Sequence, residues 1–394
     1  MRPAHLVWWL ARPLLAAACL AQITVPLARI AASYRATDLD FSPSQILIMS
    51  SAFSVLPAIL AVSIGRYNDL HGNGHSAVWG AALVLLACLM LFWPGGGIWW
   101  LTGISIVIGL GQTLQLTALQ GEIGMLRLPR HRNSMVGSLM FWQAVGQVAA
   151  PLLLSLAGLG VGREAYGSLV FRLGILCSGL AILGLAMGVL QLRHATLPSR
   201  GEVKPAGVGR ILGVPGLAWV MLAGSLCVAV HDLVLVFMPV LGAARGVPAF
   251  EVGLLLACFA LGQMVARAAY RSVANWLGPR VLMFLGVLGT AAFTAMLALP
   301  LEVTLSAVVL MLTGLAMGFA VTSSVSLTMD LAPPGARATS LGLRLAMNRA
   351  GQFLIPLVSG GAAAALGPGA VFFVLGAVLG SVGLTGGHLL LRRS

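Results

Sequence analysis

Full charge is scarce in this chain of 394 residues: ten Asp or Glu and 23 Lys or Arg make up 8% of it, about a third of the share usual in soluble domains. That scarcity argues against a water-soluble fold, because a chain 59% hydrophobic, with mean hydropathy +0.98, has too few charges to cover the surface of a soluble core. Lysine is nearly missing, Lys204 being the only one. No basic run interleaved with aromatics offers a nucleic-acid surface, so the net charge of +13 calls for another cause. None of the five cysteines falls in a loop. Cys19, Cys88, Cys177, Cys227 and Cys258 sit in apolar runs, which leaves no external disulfide or metal site and makes them small core residues. Paired-Cys metal spacing, a phosphate loop, Gly-x-Ser-x-Gly and a dinucleotide fingerprint are all lacking, so neither an enzyme nor a cofactor is expected.

What fills the chain instead is apolar sequence in runs long enough to cross a bilayer, for which roughly 20 helical residues suffice. Twelve spans are predicted, near 12–33, 44–66, 76–94, 98–122, 134–159, 167–192, 214–241, 250–272, 278–299, 303–330, 338–365 and 369–391. The expected fold class is therefore an all-α polytopic membrane protein with twelve transmembrane helices. Arg2, Arg12 and the run 14–20 imitate a signal peptide, but the apolar run continues to Ala32 and reads as an uncleaved first span. The longest gap, 193–213, contains Arg193, Arg200, Lys204 and Arg210. It reads as a basic linker between two six-span domains, residues 1–192 and 214–394.

The positive charge is explained by orientation. Alternate gaps place fifteen basic residues on one side and only Arg35, Arg163 and Arg245 on the other, while Arg29, Arg172, Arg267, Arg344 and Arg349 fall within spans. The positive-inside rule then puts both termini and the linker in the cytoplasm, as in a bacterial-type inner membrane.

Shifting the second half back by 205 positions lays Gly109 on Gly314, Pro129 on Pro334, Arg132 on Arg337, Gly137 on Gly342, Gly146 on Gly351, Gln147 on Gln352 and Pro151 on Pro356. At 206, Phe53 falls on Phe259, Asp69 on Asn275 and Gly72 on Gly278. This is the mark of a duplicated unit. With six spans per unit the repeats are parallel, related by an axis along the membrane normal.

The segment after the second span runs Gly65, Arg66, Tyr67, Asn68, Asp69, Leu70, His71, Gly72. It resembles the Gly-x-x-x-Asp-x-x-Gly loop motif of the major facilitator superfamily, and Arg271 to Arg280, with Asn275 and Gly278, stands where that family keeps a degenerate copy. Together with the six-plus-six layout the resemblance covers the whole chain. It implies a secondary transporter, working as a monomer, whose two pseudo-symmetric six-helix bundles rock about a central site. It also implies for Asp69 a structural task at the start of the eleventh helix, where the helix dipole favours a carboxylate. Two departures weaken a proton-driven multidrug antiporter. The family's drug exporters carry an Arg four residues before a fourth-span Gly, where Ser105 stands here, and their fifth-span Gly-Pro pair is split into Gly146 and Pro151.

Charges at bilayer depth cost roughly 2.5 to 3.5 kcal/mol on insertion scales, so each marks a partner, a cavity or an exit to the interface. On the eleventh span Arg344, Asn348 and Gln352 recur every fourth residue, with Arg349 beside them, and Gln143 and Gln147 repeat the spacing in the first half. Counting from residue 338 places Arg349 roughly 16 Å deep, as a candidate anion-binding group or as a lock between helices. Gln263, Arg267 and Arg271 share one face of the eighth span. Arg267 is either a substrate contact or part of a cytoplasmic network. Its combination with Arg349 or Arg344 resembles the basic residues that some organic-anion carriers of the family place in these spans. Gln112 and Gln115 are candidate cavity liners or helix-packing amides. Asp232, next to His231, lies at the depth of Arg29, so a closing pair Arg29 with Asp232 is expected. The rival is a coupling proton on Asp232, with His231 as a relay or as ordinary core.

These residues divide into substrate-binding candidates (Arg349, Asn348, Gln352, Gln143, Gln147, Arg267, Gln112, Gln115), gating or coupling candidates (Arg29, Asp232, His231, Arg344) and the structural motif Gly65, Asp69, Gly72. The expected function is transport of a small organic solute, with an anionic group because Arg29, Arg267, Arg344 and Arg349 outnumber Asp232. The alternatives are proton-linked efflux of lipophilic drugs or metabolites, and a non-transporting receptor or assembly partner on the same fold. The expected partners are the solute, the lipid bilayer and protons as a coupling ion, with no nucleic acid.

Overall fold

The structure is a computed structural model that describes residues 4–71, 73–93, 96–124, 129–161, 165–194, 208–332 and 337–391. Every regular element among them is a helix. In chain order these are α1 (Ala4–Asp38), α2 (Pro43–Ala52), α3 (Val55–His71), α4 (Asn73–Met90), α5 (Ile98–Gly124), α6 (Pro129–Ala157) and α7 (Tyr166–His194). There follow α8 (Val208–Leu212), α9 (Leu217–Ala244), α10 (Ala249–Leu277), α11 (Pro279–Met296), α12 (Val303–Leu331), α13 (Arg337–Leu366) and α14 (Ala370–Leu391).

The twelve predicted spans thus find their helices, with two differences. The second span is not one rod but α2 and α3, parted at Phe53 and Ser54. Pro57 explains the break: it has no N–H to give to the carbonyl four residues back, at Phe53, and its ring crowds that oxygen. At its other end the same span does not stop at 66, because α3 continues through Asp69 to His71. The motif read as a loop is therefore helical up to His71, and Gly72 lies outside the described residues. The final part of the predicted linker is the short helix α8, whose Ile211 is fully buried against Leu217 and Met221.

Among the described residues ten helical segments are long and apolar enough to cross a membrane, one of them, Pro43–Leu60, running across α2 into α3, and α14 adds the shorter apolar helix Ala370–Gly386. Their outward faces hold large apolar side chains, among them Ile59, Leu86, Phe171, Ile175, Leu183 and Phe373. In water such a surface would aggregate, whereas in a bilayer it is solvated. Trp93, Trp99 and Trp276 stand exposed at helix ends, as amphipathic rings do at the headgroup level.

The chain divides into two compact units, Met1–Asp40 with Ala52–Gly201, and Phe41–Ser51 with Glu202–Ser394. In the second unit α2 packs on α13, with Leu47 and Ser44 3.9 Å from where a Cβ on Gly360 would lie.

Within each unit the repeat is visible as the same helix crossing. In the first, a Cβ on Gly109 of α5 would collide with the backbone carbonyl of Phe53, and in the second, a Cβ on Gly314 of α12 would collide with that of Phe259 on α10. Backbone meets backbone at both crossings, which only glycine permits. Gly146 of α6 lies in the same way against Cys19 of α1, and Gly351 of α13 more loosely against Ser225 of α9, whose carbonyl a Cβ would approach to 3.3 Å. The symmetry breaks at one residue. Four positions after Phe259 stands Gln263 rather than a proline, so α10 runs unbroken where α2 and α3 part.

Candidate functional site

In the second unit the polar stripe of α13 faces inward. Arg344, Asn348 and Gln352 are 5%, 8% and 9% exposed, as their four-residue spacing on a helix predicts. Each finds a different partner. Arg344 donates Nε to Ser324 Oγ on α12 (3.0 Å), and that hydroxyl donates to Val220 O on α9 (3.1 Å). The chain of bonds needs Gly224 on α9, because a Cβ there would collide with Ser324 Oγ. Asn348 lies against α9, its side-chain oxygen 3.0 Å from Ser225 Oγ, which is also 2.7 Å from Met221 O. Gln352 accepts a bond from Arg349 Nη1 one turn back (3.1 Å), and Arg349 itself is half-buried.

A second group joins α9 to α10. Gln263, 2% exposed, lies with its amide nitrogen 3.1 Å from His231 Nδ1, and the imidazole stacks on Phe259 with 5.7 Å between ring centroids and 27° between planes. Asp232 is buried in the middle of α9. Arg267 follows Gln263 by one turn of α10 and is half-buried. At the far end of α9, Arg245 donates Nη2 to Leu297 O and Ala298 O at the end of α11 (3.0 and 3.1 Å), and burial pulls its pKa below the ordinary arginine value.

In the first unit Arg29 of α1 is buried, with its guanidinium over the ring of Phe53, 3.9 Å from the centroid. Gln143 is buried and Gln147 half-buried on α6. Pro151 and Pro356 have no N–H for the carbonyls four residues back, which belong to Gln147 and Gln352. Both repeat-related glutamines therefore lack the helix-ladder donor four residues on. On α5 Gln112 is half-buried, while Gln115 turns toward α4, where a Cβ on Gly80 would lie 2.8 Å from its Cγ. Gly65 and Asp69 lie on the last turns of α3.

Sequence reasoning missed two arrangements. Asn68 accepts a bond from Ser76 on α4 and donates to Thr117 on α5 (3.4 Å), which ties the helical motif segment into its unit. Its signal was a polar residue one turn beyond Ile64 on the buried face of α3. The other is Arg172, which donates to Ala157 O and Leu159 O (3.1 and 3.2 Å) and so closes the end of α6. Among the described residues no cluster of His, Cys, Asp or Glu could hold a metal ion.

The sequence profile of the Major Facilitator Superfamily matches residues 14–299 and 220–394. No curated relative matches the chain. Among solved structures, a bacterial homologue of the human lysosomal transporter Spinster, in an inward-facing and unoccupied conformation, superposes with TM-score 0.75 at 15% identity, covering 100% of this chain and 98% of its own. The nucleoside transporter NupG gives 0.69 at 14% identity, with 98% and 100% coverage. A POT family transporter in complex with 5-aminolevulinic acid gives 0.75 at 13%, with 95% and 94% coverage. At these identities the likeness is one of fold.

Proposed function

Because the chain belongs to the major facilitator superfamily, we propose that it is a secondary active transporter that moves a small organic solute bearing an anionic group, by alternating access. The observation that carries the proposal is the buried stripe of Arg344, Asn348 and Gln352 on α13 with Arg349 beside it. Membrane helices that bury cations and amides together spend folding energy on them, and they do so where a polar solute passes. The sign of the charge supports an anion: Arg29, Arg267, Arg344 and Arg349 stand in the spans against Asp232. Gln147 and Gln352, through their side-chain amides, supply hydrogen bonds to the polar remainder of a solute. A carboxylate-bearing solute, 5-aminolevulinic acid, occupies a transporter of the same fold.

In this reading Arg349, Asn348, Gln352, Gln143, Gln147, Arg267, Gln112 and Gln115 contribute to solute recognition, while Arg29, Asp232, His231 and Arg344 serve gating or coupling. His231, 3.1 Å from the Gln263 amide, supports a proton as the coupling ion, since imidazole groups inside membrane proteins serve as proton relays. The protein works as a monomer in an inner membrane, with both termini cytoplasmic.

The test is a thermal-unfolding screen of the detergent-purified protein against organic anions, zwitterions and lipophilic cations, followed by flux in proteoliposomes. A ligand that binds only the native state raises its stability by mass action. The expected result is stabilisation by an organic carboxylate or phosphate that is lost in Arg349→Ala, with uptake of the same compound. Stabilisation by cations alone, undiminished in Arg349→Ala, would overturn it.

A further inference from the structure

The Arg344 guanidinium has more donors than the protein satisfies. Only Nε has an acceptor, Ser324 Oγ, whereas Nη2 is sealed from solvent and bonded to nothing. No carboxylate among the described residues lies within ion-pair distance of Arg344. Two neighbours in the chain repeat the pattern. Ser340, one turn earlier on α13, and Ser323, next to Ser324 on α12, are fully buried with hydroxyls that also lack a partner. Each of these groups can donate, and what the region lacks is an acceptor carrying negative charge. A buried cation without a counter-charge is strongly unfavourable, and a sealed Nη2 leaves no water to act in its place.

We propose that Arg344, with Ser340 one turn before it on the same helix, binds a monoanion. One guanidinium with no carboxylate beside it leaves a single positive charge to neutralise, so the occupant carries one negative charge. The planar edge of Arg344 suits a carboxylate, which it can bind through two parallel N–H donors, and equally a halide held by converging N–H and O–H groups. The shared chemistry is a compact monoanion, whether it is the carboxylate of the transported solute or inorganic chloride. Because Nη2 is closed in this conformation, binding includes a small separation of α13 from α12 at Ser324. The carboxylate source rests on the function proposed above, whereas the chloride source does not.

The experiment uses the full-length purified protein in detergent and follows thermal unfolding by tryptophan fluorescence. Sodium chloride or sodium acetate is titrated from zero, and ionic strength is held constant with sodium sulfate. At saturation the midpoint should rise by roughly 3 °C or more in the native protein. The rise should vanish in Arg344→Gln and persist in Arg172→Gln, a basic residue outside the site. Ser340→Ala keeps the cation and provides the reading should Arg344→Gln fail to fold, with half-saturation moved to an anion concentration about tenfold higher, as loss of one charge-assisted bond implies. A response to acetate alone supports the site and identifies a solute carboxylate, and a response to chloride supports it with an inorganic ion. An equal rise in Arg344→Gln, or no rise with either anion in the native protein, would overturn the proposal. Persistence of an Arg344-dependent chloride response when no organic anion is transported would separate this site from the proposed function.

Discussion

Arg29 stands over the ring of Phe53, with 3.9 Å between its guanidinium carbon and the ring centroid. In the other unit the repeat-related Phe259 carries His231 on its face. Each half thus places one basic residue of its first helix on the phenylalanine of its second span, and a desolvated cation–π contact such as that of Arg29 is worth about 2 kcal/mol. The two basic residues are not at equivalent positions, since His231 corresponds to a residue one turn before Arg29. A double-mutant cycle should therefore find coupling of about 1 to 2 kcal/mol between Arg29→Leu and Phe53→Leu, measured as unfolding free energy in mixed micelles. Additive effects within about 0.3 kcal/mol would mean that the contact is incidental.

The crossings at Gly109 and Gly314 predict a steep cost for one methyl group. Gly109→Ala and Gly314→Ala each drive a Cβ into the carbonyl of a neighbouring helix. Overpacking of this sort costs about 1 to 3 kcal/mol or more. Gly103 lies on the same helix as Gly109 with open space where its Cβ would be, so Gly103→Ala should be neutral. The fraction of protein eluting as a monodisperse peak after heating in detergent reports the difference, and a Gly314→Ala variant as stable as Gly103→Ala would contradict the close approach.

Much of this architecture was legible in the residues. Hydrophobic runs of bilayer length located the spans because lipid demands one kind of element, with its backbone bonds satisfied within the segment. The repeat was legible because Gly109, Gly314 and Gly146 are fixed by backbone contact that a Cβ would break. The split of the second span was not read, since Pro57 lies inside an apolar run and acts on a carbonyl four residues away. Asn68 escaped because its partners, Ser76 and Thr117, are brought to it only by packing. On α13 the spacing of Arg344, Asn348 and Gln352 foretold one face, but not that Arg344 would meet a serine of α12 and Asn348 a serine of α9. Helix-face periodicity states direction and says nothing about which neighbour stands there.

Pro57 should be separable from the helix it interrupts. Pro57→Ala restores an N–H within reach of the Phe53 carbonyl, and that oxygen now lies against Gly109. The expected outcome is a continuous second span in which the new amide at position 57 is protected from hydrogen exchange, as ladder amides are. Transport should slow, because a bend fixed by proline is replaced by a straight segment that competes with the crossing at Gly109. Rapid exchange at that amide would show that packing against α5, rather than the missing donor, holds the break.

The contact between Ser225 and Asn348 offers a smaller effect and a sharper one. Both side chains are buried, 2% and 8% exposed, and they join α9 to α13 at 3.0 Å. Hydrogen bonds between membrane helices average about 0.6 kcal/mol and reach about 1.7. Ser225→Ala should cost that amount, because the buried Asn348 oxygen loses its partner, whereas with Asn348 replaced the Ser225 hydroxyl can still bond Met221 O. Asn348→Leu removes both the polar group and its need, so Ser225→Ala in that background should cost close to nothing. Unfolding free energies of the four proteins decide the matter. If Asn348 contributes to solute recognition as proposed, Asn348→Leu should lower transport more than tenfold while Ser225→Ala, which leaves the amide in place, lowers it less. Equal losses from the two would make the amide a packing group whose position, and not its chemistry, matters to the carrier.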